Sequence, residues 1–225
     1  MPTKPIPIGV SPRHLHPSKE DFLRLFGEGA FLQKRRDLSQ RGQFAAEQTV
    51  TLATAVGRIE PVRILGPFRR QSQVELSRTD AVQLGLNPPV RDSGRHEGTP
   101  GLTVIGPAGT VELPQGVIVA QRHVHMTPTD AREFEVSDGD IVWIHVPGRT
   151  DSGESRECIF GNVLVRIDPA FRLDFHLDTD EANTAGVQTG DTGILLREPP
   201  VKCDCPEEVE QQGNLYPRKR LYSEW

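Results

Sequence analysis

Apolar residues in this chain come in short runs separated by turn signals, not in long helical stripes. Ile6–Val10, Val62–Leu65, Val74–Leu76, Gly101–Ile105, Thr110–Leu113, Val117–Ala120, Ile141–Val146, Cys158–Ile167, Leu173–Leu177 and Gly193–Leu196 are rich in Val, Ile and Thr. Such segments fit a pleated, half-buried surface and predict strands. Helical spacing is confined to Lys19–Phe26, Arg78–Leu84, Pro128–Phe134 and Asp180–Thr184. The pattern is that of a mainly β protein, a barrel or sandwich with short helices. The second and third helical stretches each lead through a tight turn into a returning strand, at Gly85-Leu-Asn-Pro-Pro-Val-Arg91 and Glu135-Val-Ser-Asp-Gly-Asp-Ile-Val142.

Within this pattern one phrase occurs twice. Residues 13–16 read Arg-His-Leu-His and residues 122–125 read Arg-His-Val-His, and they hold four of the seven histidines. Each is preceded by an apolar extended run. Each is followed by a hydroxyl residue and then an acid, Ser18 and Asp21 or Thr127 and Asp130, as at a helix start. On a strand, residues i and i+2 share a face, so two imidazoles can grip one metal; on a helix they lie roughly 200° apart. Each half therefore reads as strand, metal claw, helix.

Other side chains can complete the claws. In Asp174-Phe-His-Leu-Asp178, alternation puts Asp174, His176 and Asp178 on one face, so His176 is a third ligand for the second claw and an aspartate can orient an imidazole. Alternation likewise groups Arg69, Gln71, Gln73 and Glu75. That strip is either a solvated edge or the wall of a site, with Arg69 holding an anion through its planar fork and Glu75 taking metal. His145, in an apolar run, reads as structural, and His96 as a solvated loop residue. Cys203-Asp-Cys205 is too weak a motif to carry a metal site.

Composition narrows the classes. The chain has 225 residues, a net charge of −5 and no basic tract before Arg218-Lys-Arg220, which argues against nucleic acid. No apolar run is long enough to span a bilayer, and the N-terminus lacks a signal-peptide core. Three cysteines, an odd number, suggest a reducing compartment. Residues 147–158 read as a polar hairpin loop and 198–225 as a mobile tail or docking segment.

Gly9-Val-Ser-Pro-Arg-His-Leu-His16, Gly66-Pro-Phe-Arg-Arg-Gln-Ser-Gln-Val-Glu75, Val90-Arg-Asp-Ser-Gly94, Arg122-His-Val-His-Met126 and Asp178-Thr-Asp-Glu-Ala-Asn183 resemble, in order, the PduL-type phosphate acyltransferases of bacterial microcompartments. The resemblance covers roughly residues 5–197. It implies two β-barrels capped by short helices. One is formed by residues 1–12 with 121–197, the other by 13–120 with an interface arm near 27–48, where Phe31 and Phe44 stand out. It implies reversible conversion of propanoyl- or acetyl-CoA and phosphate into acyl phosphate and CoA. It further implies two zinc ions per chain: one on His14, His16 and Glu75, whose open position takes the CoA sulfur, and one on His123, His125 and His176. Arg69 would bind phosphate, attack would be direct in a ternary complex, and the chain would dimerise. A bacterial cytoplasmic location is expected, inside a microcompartment with possible shell or cargo contacts, or free in the cytosol. The longer 147–158 loop and the tail depart from the family. Arg13 and Arg122 receive no role.

Two rival readings differ in class. A cupin-like oxygenase or isomerase also pairs HxH with a following Glu, here Glu20, but Pro17-Ser18-Lys19 begins a helix that turns Glu20 away. A non-catalytic zinc-stabilised protein would close its site with four protein ligands, often cysteines, and no such set is present.

Overall fold

The computed structural model describes residues 4–148 and 156–197. The tail at 198–225 with Cys203 and Cys205, the basic Arg218-Lys-Arg220, and residues 149–155 of the polar loop lie outside the described residues. The chain runs β1 (Ile6–Ser11), β2 (His14–His16), α1 (Lys19–Phe26), β3 (Lys34–Asp37), β4 (Phe44–Ala53), β5 (Arg58–Gly66), β6 (Gln73–Glu75), α2 (Arg78–Gln83) and β7 (Val90–Arg91). It continues with β8 (Leu102–Ile105), β9 (Thr110–Leu113), β10 (Val117–Ala120), β11 (His123–Met126), α3 (Pro128–Phe134), β12 (Ile141–Val146), β13 (Cys158–Ile167), β14 (Asp174–Asp178), α4 (Thr179–Ala185) and β15 (Thr192–Leu196). The protein is mainly β with short helices, as the run lengths predict.

Six strands, β1-β14-β11-β13-β12-β15, close into a barrel, and the other nine form a curled sheet in the order β7-β10-β6-β2-β5-β4-β8-β9, with β3 on β4. The two sheets repeat one another. Along the barrel path β1-β14 is parallel, β14-β11 antiparallel, β11-β13 parallel, and β13-β12 and β12-β15 antiparallel. The path β10-β6-β2-β5-β4-β8 has the same sequence of senses. In the barrel β15 returns to β1; in the sheet β8 turns into the hairpin strand β9 and β10 pairs with β7, so the ring stays open.

The repeat contains an exchange. β1 precedes the first claw in sequence but pairs with β14 in the barrel, whereas β10 precedes the second claw and pairs with β6 in the open sheet. Each half lends its leading strand to the other. The cores follow suit: Ile6 and Ile8 are buried with Phe175 and Leu177, and Val117 with Val74 and Leu15.

β3 and β4 escape the sequence pattern, and β5 extends beyond the Val62–Leu65 run predicted for it. β4 pairs with β5 through two register shifts, between Ala45/Thr49 and Val50/Leu52, so its buried positions do not alternate. β5 contains Pro61, which ordinarily argues against a strand interior. The segment expected as an arm supplies β3 and the start of β4. Phe31 is exposed, but Phe44 packs on the core over Gly66, where a Cβ would fall 2.3 Å from its ring.

Candidate active site

Both claws lie on extended backbone, β2 and β11, and both are anchored by the residue between the histidines. Leu15 is 1% and Val124 0% exposed, each in its own core, which turns both imidazoles of its claw to the opposite face. Burying such a side chain contributes roughly 1.5–3 kcal/mol. A helix starts directly after each claw. Ser18 accepts from the Asp21 amide and Thr127 from the Asp130 amide, so the predicted caps are present.

The leading histidine of each claw is oriented by its own chain. His14 Nδ1 lies 2.8 Å from the Pro12 carbonyl and His123 Nδ1 2.8 Å from the Gln121 carbonyl. Donation to that oxygen fixes the tautomer and leaves Nε2 as the free ligand atom. The third member of each set sits on the antiparallel neighbour directly opposite: Glu75 across from His14, and His176 across from His123. The ligand atoms of His14, His16 and Glu75 lie within 4.8 Å of one another, as do those of His123, His125 and His176.

The donor chemistry of both sets fits zinc. Two nitrogens with a carboxylate, and three nitrogens, are catalytic-type sets that leave one coordination position open. Unpaired atoms point the same way. His125 Nδ1, Asp174 Oδ2 and His176 Nε2 are buried without a hydrogen-bond partner, which is costly unless something else satisfies them. Asp174 Oδ2 stands 3.2 Å from His176 Nε2 without a hydrogen bond between them, while Asp178 caps α4.

Electrostatics set the protonation states. Burial, with His176 and Arg166 nearby, lowers His123 to about 4, and burial with His123 and His176 lowers His125 to about 2, so both imidazoles are neutral and able to ligate at neutral pH. Burial, His14 and Arg69 hold His16 well below the ordinary value. Burial alone would raise the Glu75 carboxyl, but His14, His16 and Arg69 outweigh it and hold it at about 2.

Both sets open into one cleft of about 370 Å³. Arg69 enters it from the loop after β5, where its amide donates to the Pro17 carbonyl. Its Nη2 donates to His16 Nε2 at 2.9 Å and its Nη1 to Ser93 Oγ at 2.8 Å. Ser93 in turn donates to Glu75 Oε1 at 3.1 Å, and Gln73 donates to both Glu75 and Ser93. The expected strip is thus partly a site wall. Arg69 and Glu75 line the cleft, Gln73 is buried behind them, and Gln71 meets His96 outside it. His96 is a correction: it is 9% exposed, held between Gln71 and Gln73, because the loop folds back onto β6. His145 is on the barrel exterior, paired with Glu157.

Three cleft residues lacked an assignment from sequence. Ser93 sits in a turn, where no periodicity marks it. Arg166 interrupts the apolar end of β13, a signal that was available, and the Phe171 ring centroid lies 4.1 Å from that of His125, tilted by 43°. Glu20, the ligand a cupin-like site would need, is on α1, paired with Arg24 at 2.6 Å.

Residues 7–188 match the family model described as phosphate propanoyltransferase. Relatives bearing that name include one from Thermotoga maritima, 53% identical over 189 residues, which is 84% of this chain and 88% of the relative. One from Salmonella typhimurium is 51% identical over 186 residues, covering 83% and 86%, and one from Citrobacter koseri is 48% identical over 199 residues, covering 88% and 92%.

Proposed function

This chain belongs to the phosphate propanoyltransferase family, and from that premise we propose that it interconverts acyl-CoA plus orthophosphate with acyl phosphate plus CoA in the cleft between its two claws. Propanoyl and acetyl are the acyl groups considered. The observation that carries this reading is the convergence of two three-donor sets and one arginine fork on a single cleft.

The chemistry asks for a phosphate oxygen to form a bond to the thioester carbonyl carbon while the carbon–sulfur bond breaks and the thiolate departs. Arg69 is suited to the phosphate. Its fork is braced by Ser93, and it gives paired donors to an oxyanion at any working pH. Holding phosphate beside the thioester turns a bimolecular encounter into an effectively unimolecular one. Arg166 adds a second cation to the same cleft. Zinc on His14, His16 and Glu75 and on His123, His125 and His176, two per chain, would supply a soft acceptor for the thiolate and positive charge for phosphate. Direct attack is favoured because Cys158, the one cysteine among the described residues, packs against the barrel core and does not line the cleft. Among the described residues no helix is long and apolar enough to cross a membrane. We further propose a homodimer using exposed Phe31, and a place in a bacterial microcompartment, with the free cytosol as the alternative.

The test is phosphate-dependent release of CoA from acetyl- and propanoyl-CoA, with and without a chelator. Release that the chelator abolishes is expected; absence of release, or indifference to the chelator, sinks the reading. Arg69→Ala should raise the phosphate requirement and lower turnover by about 100-fold or more, the scale of losing a charge-stabilising donor, with zinc content unchanged. Loss of zinc in that variant would make Arg69 structural.

A further inference from the structure

The two arginines that open the repeated phrase occupy matching places. Arg13 Nη1 lies 2.7 Å from Asp80 Oδ1, and Arg122 Nε lies 2.6 Å from Glu181 Oε1. Asp80 and Glu181 are themselves equivalent. The segment Gln73-Val-Glu-Leu-Ser-Arg-Thr-Asp-Ala81 superposes in role on Asp174-Phe-His-Leu-Asp-Thr-Asp-Glu-Ala182. In each, a strand carries the third member of the donor set, two residues later comes a helix N-cap, and three residues after that the acid. Asp80 and Glu181 complete capping boxes with Ser77 and Asp178. The carboxylate divides its oxygens the same way in both halves. Asp80 Oδ2 and Glu181 Oε2 accept from the cap amide, and the other oxygen takes the arginine.

We propose that Arg13 and Arg122 are positioning residues, each clamping its own claw to the strand–helix corner that carries the third ligand. The inference rests on the zinc reading given above for the two donor sets. The reason for such a clamp is geometric. β2 and β6 are three residues each, so a ladder of three residue pairs sets the register of His14 against Glu75. The outer ladders, β2 to β5 and β6 to β10, add two residue pairs each, so few backbone bonds resist rotation of these strands about their long axes. An ion pair from the residue before the first histidine to the turn beyond the third ligand opposes that rotation. Asp80 has 6% of its side chain exposed and Glu181 18%, against 40% for Arg13 and 33% for Arg122, so the carboxylate end of each pair is shielded while solvent reaches the guanidinium. Arg122 is held further: its Nη1 donates to the Gly161 carbonyl and its guanidinium lies 5.5 Å from the Phe160 ring.

Zinc affinity of single-site proteins separates the possibilities. In a His125→Ala background the first set remains, and in a His16→Ala background the second. Arg13→Ala should weaken zinc in the first background by about 10–100-fold, the range for losing an orienting partner, and leave the second unchanged; Arg122→Ala should do the converse. Lysine should rescue at position 13, where one nitrogen meets one oxygen, and rescue poorly at 122, where Nε and Nη1 serve different partners. Hydrogen exchange gives a readout without metal. Arg13→Ala should loosen β2 and β6, and Arg122→Ala β11 and β14, ahead of the other strands of their sheets. The proposal is overturned if each variant weakens both sites alike, or if neither affinity nor exchange changes. If the parent backgrounds bind no zinc while exchange changes as stated, the zinc reading fails and the clamp stands.

Discussion

A ligand imidazole must be neutral, correctly tautomeric and correctly aimed, and in this protein single neighbours meet each demand. Burial keeps His123 and His125 unprotonated, the Pro12 and Gln121 carbonyls set the tautomers of His14 and His123, and Leu15 and Val124 aim the claws. The four claw histidines were legible because an HxH on an extended run has only one sensible geometry. Ser93 was not, since its role arises from a turn meeting a strand. The neutral imidazoles have a consequence for metal-stripped protein. Their folded values, about 4 and about 2, lie below the ordinary 6.5. Between those limits the unfolded chain binds more protons, so stability is full above about pH 6.5 and is lost as pH falls. The unfolding free energy of the chelated protein from urea titration should fall between pH 7 and 5, by roughly 2–3 kcal/mol per pH unit at the steepest. A flat profile over that range would show that these imidazoles charge freely in the folded state.

Elements here are short and depend on their ends. α3 has seven residues, too few to be stable alone, and starts three residues after His125. Thr127 holds it by a capping box: its hydroxyl accepts from the Asp130 amide, and Asp130 accepts from the Thr127 amide. Thr127→Ala should cost about 1–2 kcal/mol and Thr127→Ser much less, read as a shift in urea midpoint; equal losses for both would mean that the methyl packing matters and the cap does not. Helix starts were readable from sequence because caps are chosen by chemistry local to four residues. β4 was not, because its register shifts erase the period-two signal, and β5 was foreshortened by Pro61. Glycine marks close approaches that no pattern announces. A Cβ on Gly9, beside His176 in register, would fall 2.9 Å from Asp174 Oδ2.

At the scale of the whole molecule, the exchange of leading strands makes the two halves interdependent. Ile8 is 1% exposed inside the barrel, although its nearest sequence neighbours belong to the first claw. Ile8→Ala should therefore cost about 2–5 kcal/mol and reduce hydrogen-exchange protection in β11–β15 before β4, β8 and β9. Val117→Ala should do the reverse, since Val117 is buried in the open sheet's core. Protection lost first in the half that contains the mutated residue would argue against the exchange. The repeated sequence by itself determined the extended claws, the helix starts and the mainly β class, because each depends on spacing within a few residues. Only the tertiary structure decided that β1 and β10 trade places, that one ring closes while the other opens into a hairpin, and that Arg13 meets Asp80 as Arg122 meets Glu181. Those contacts join residues far apart in the chain. Local period carries no information about them, because strand pairing is stabilised by whichever distant edge completes the hydrogen-bond ladder and buries the shared face.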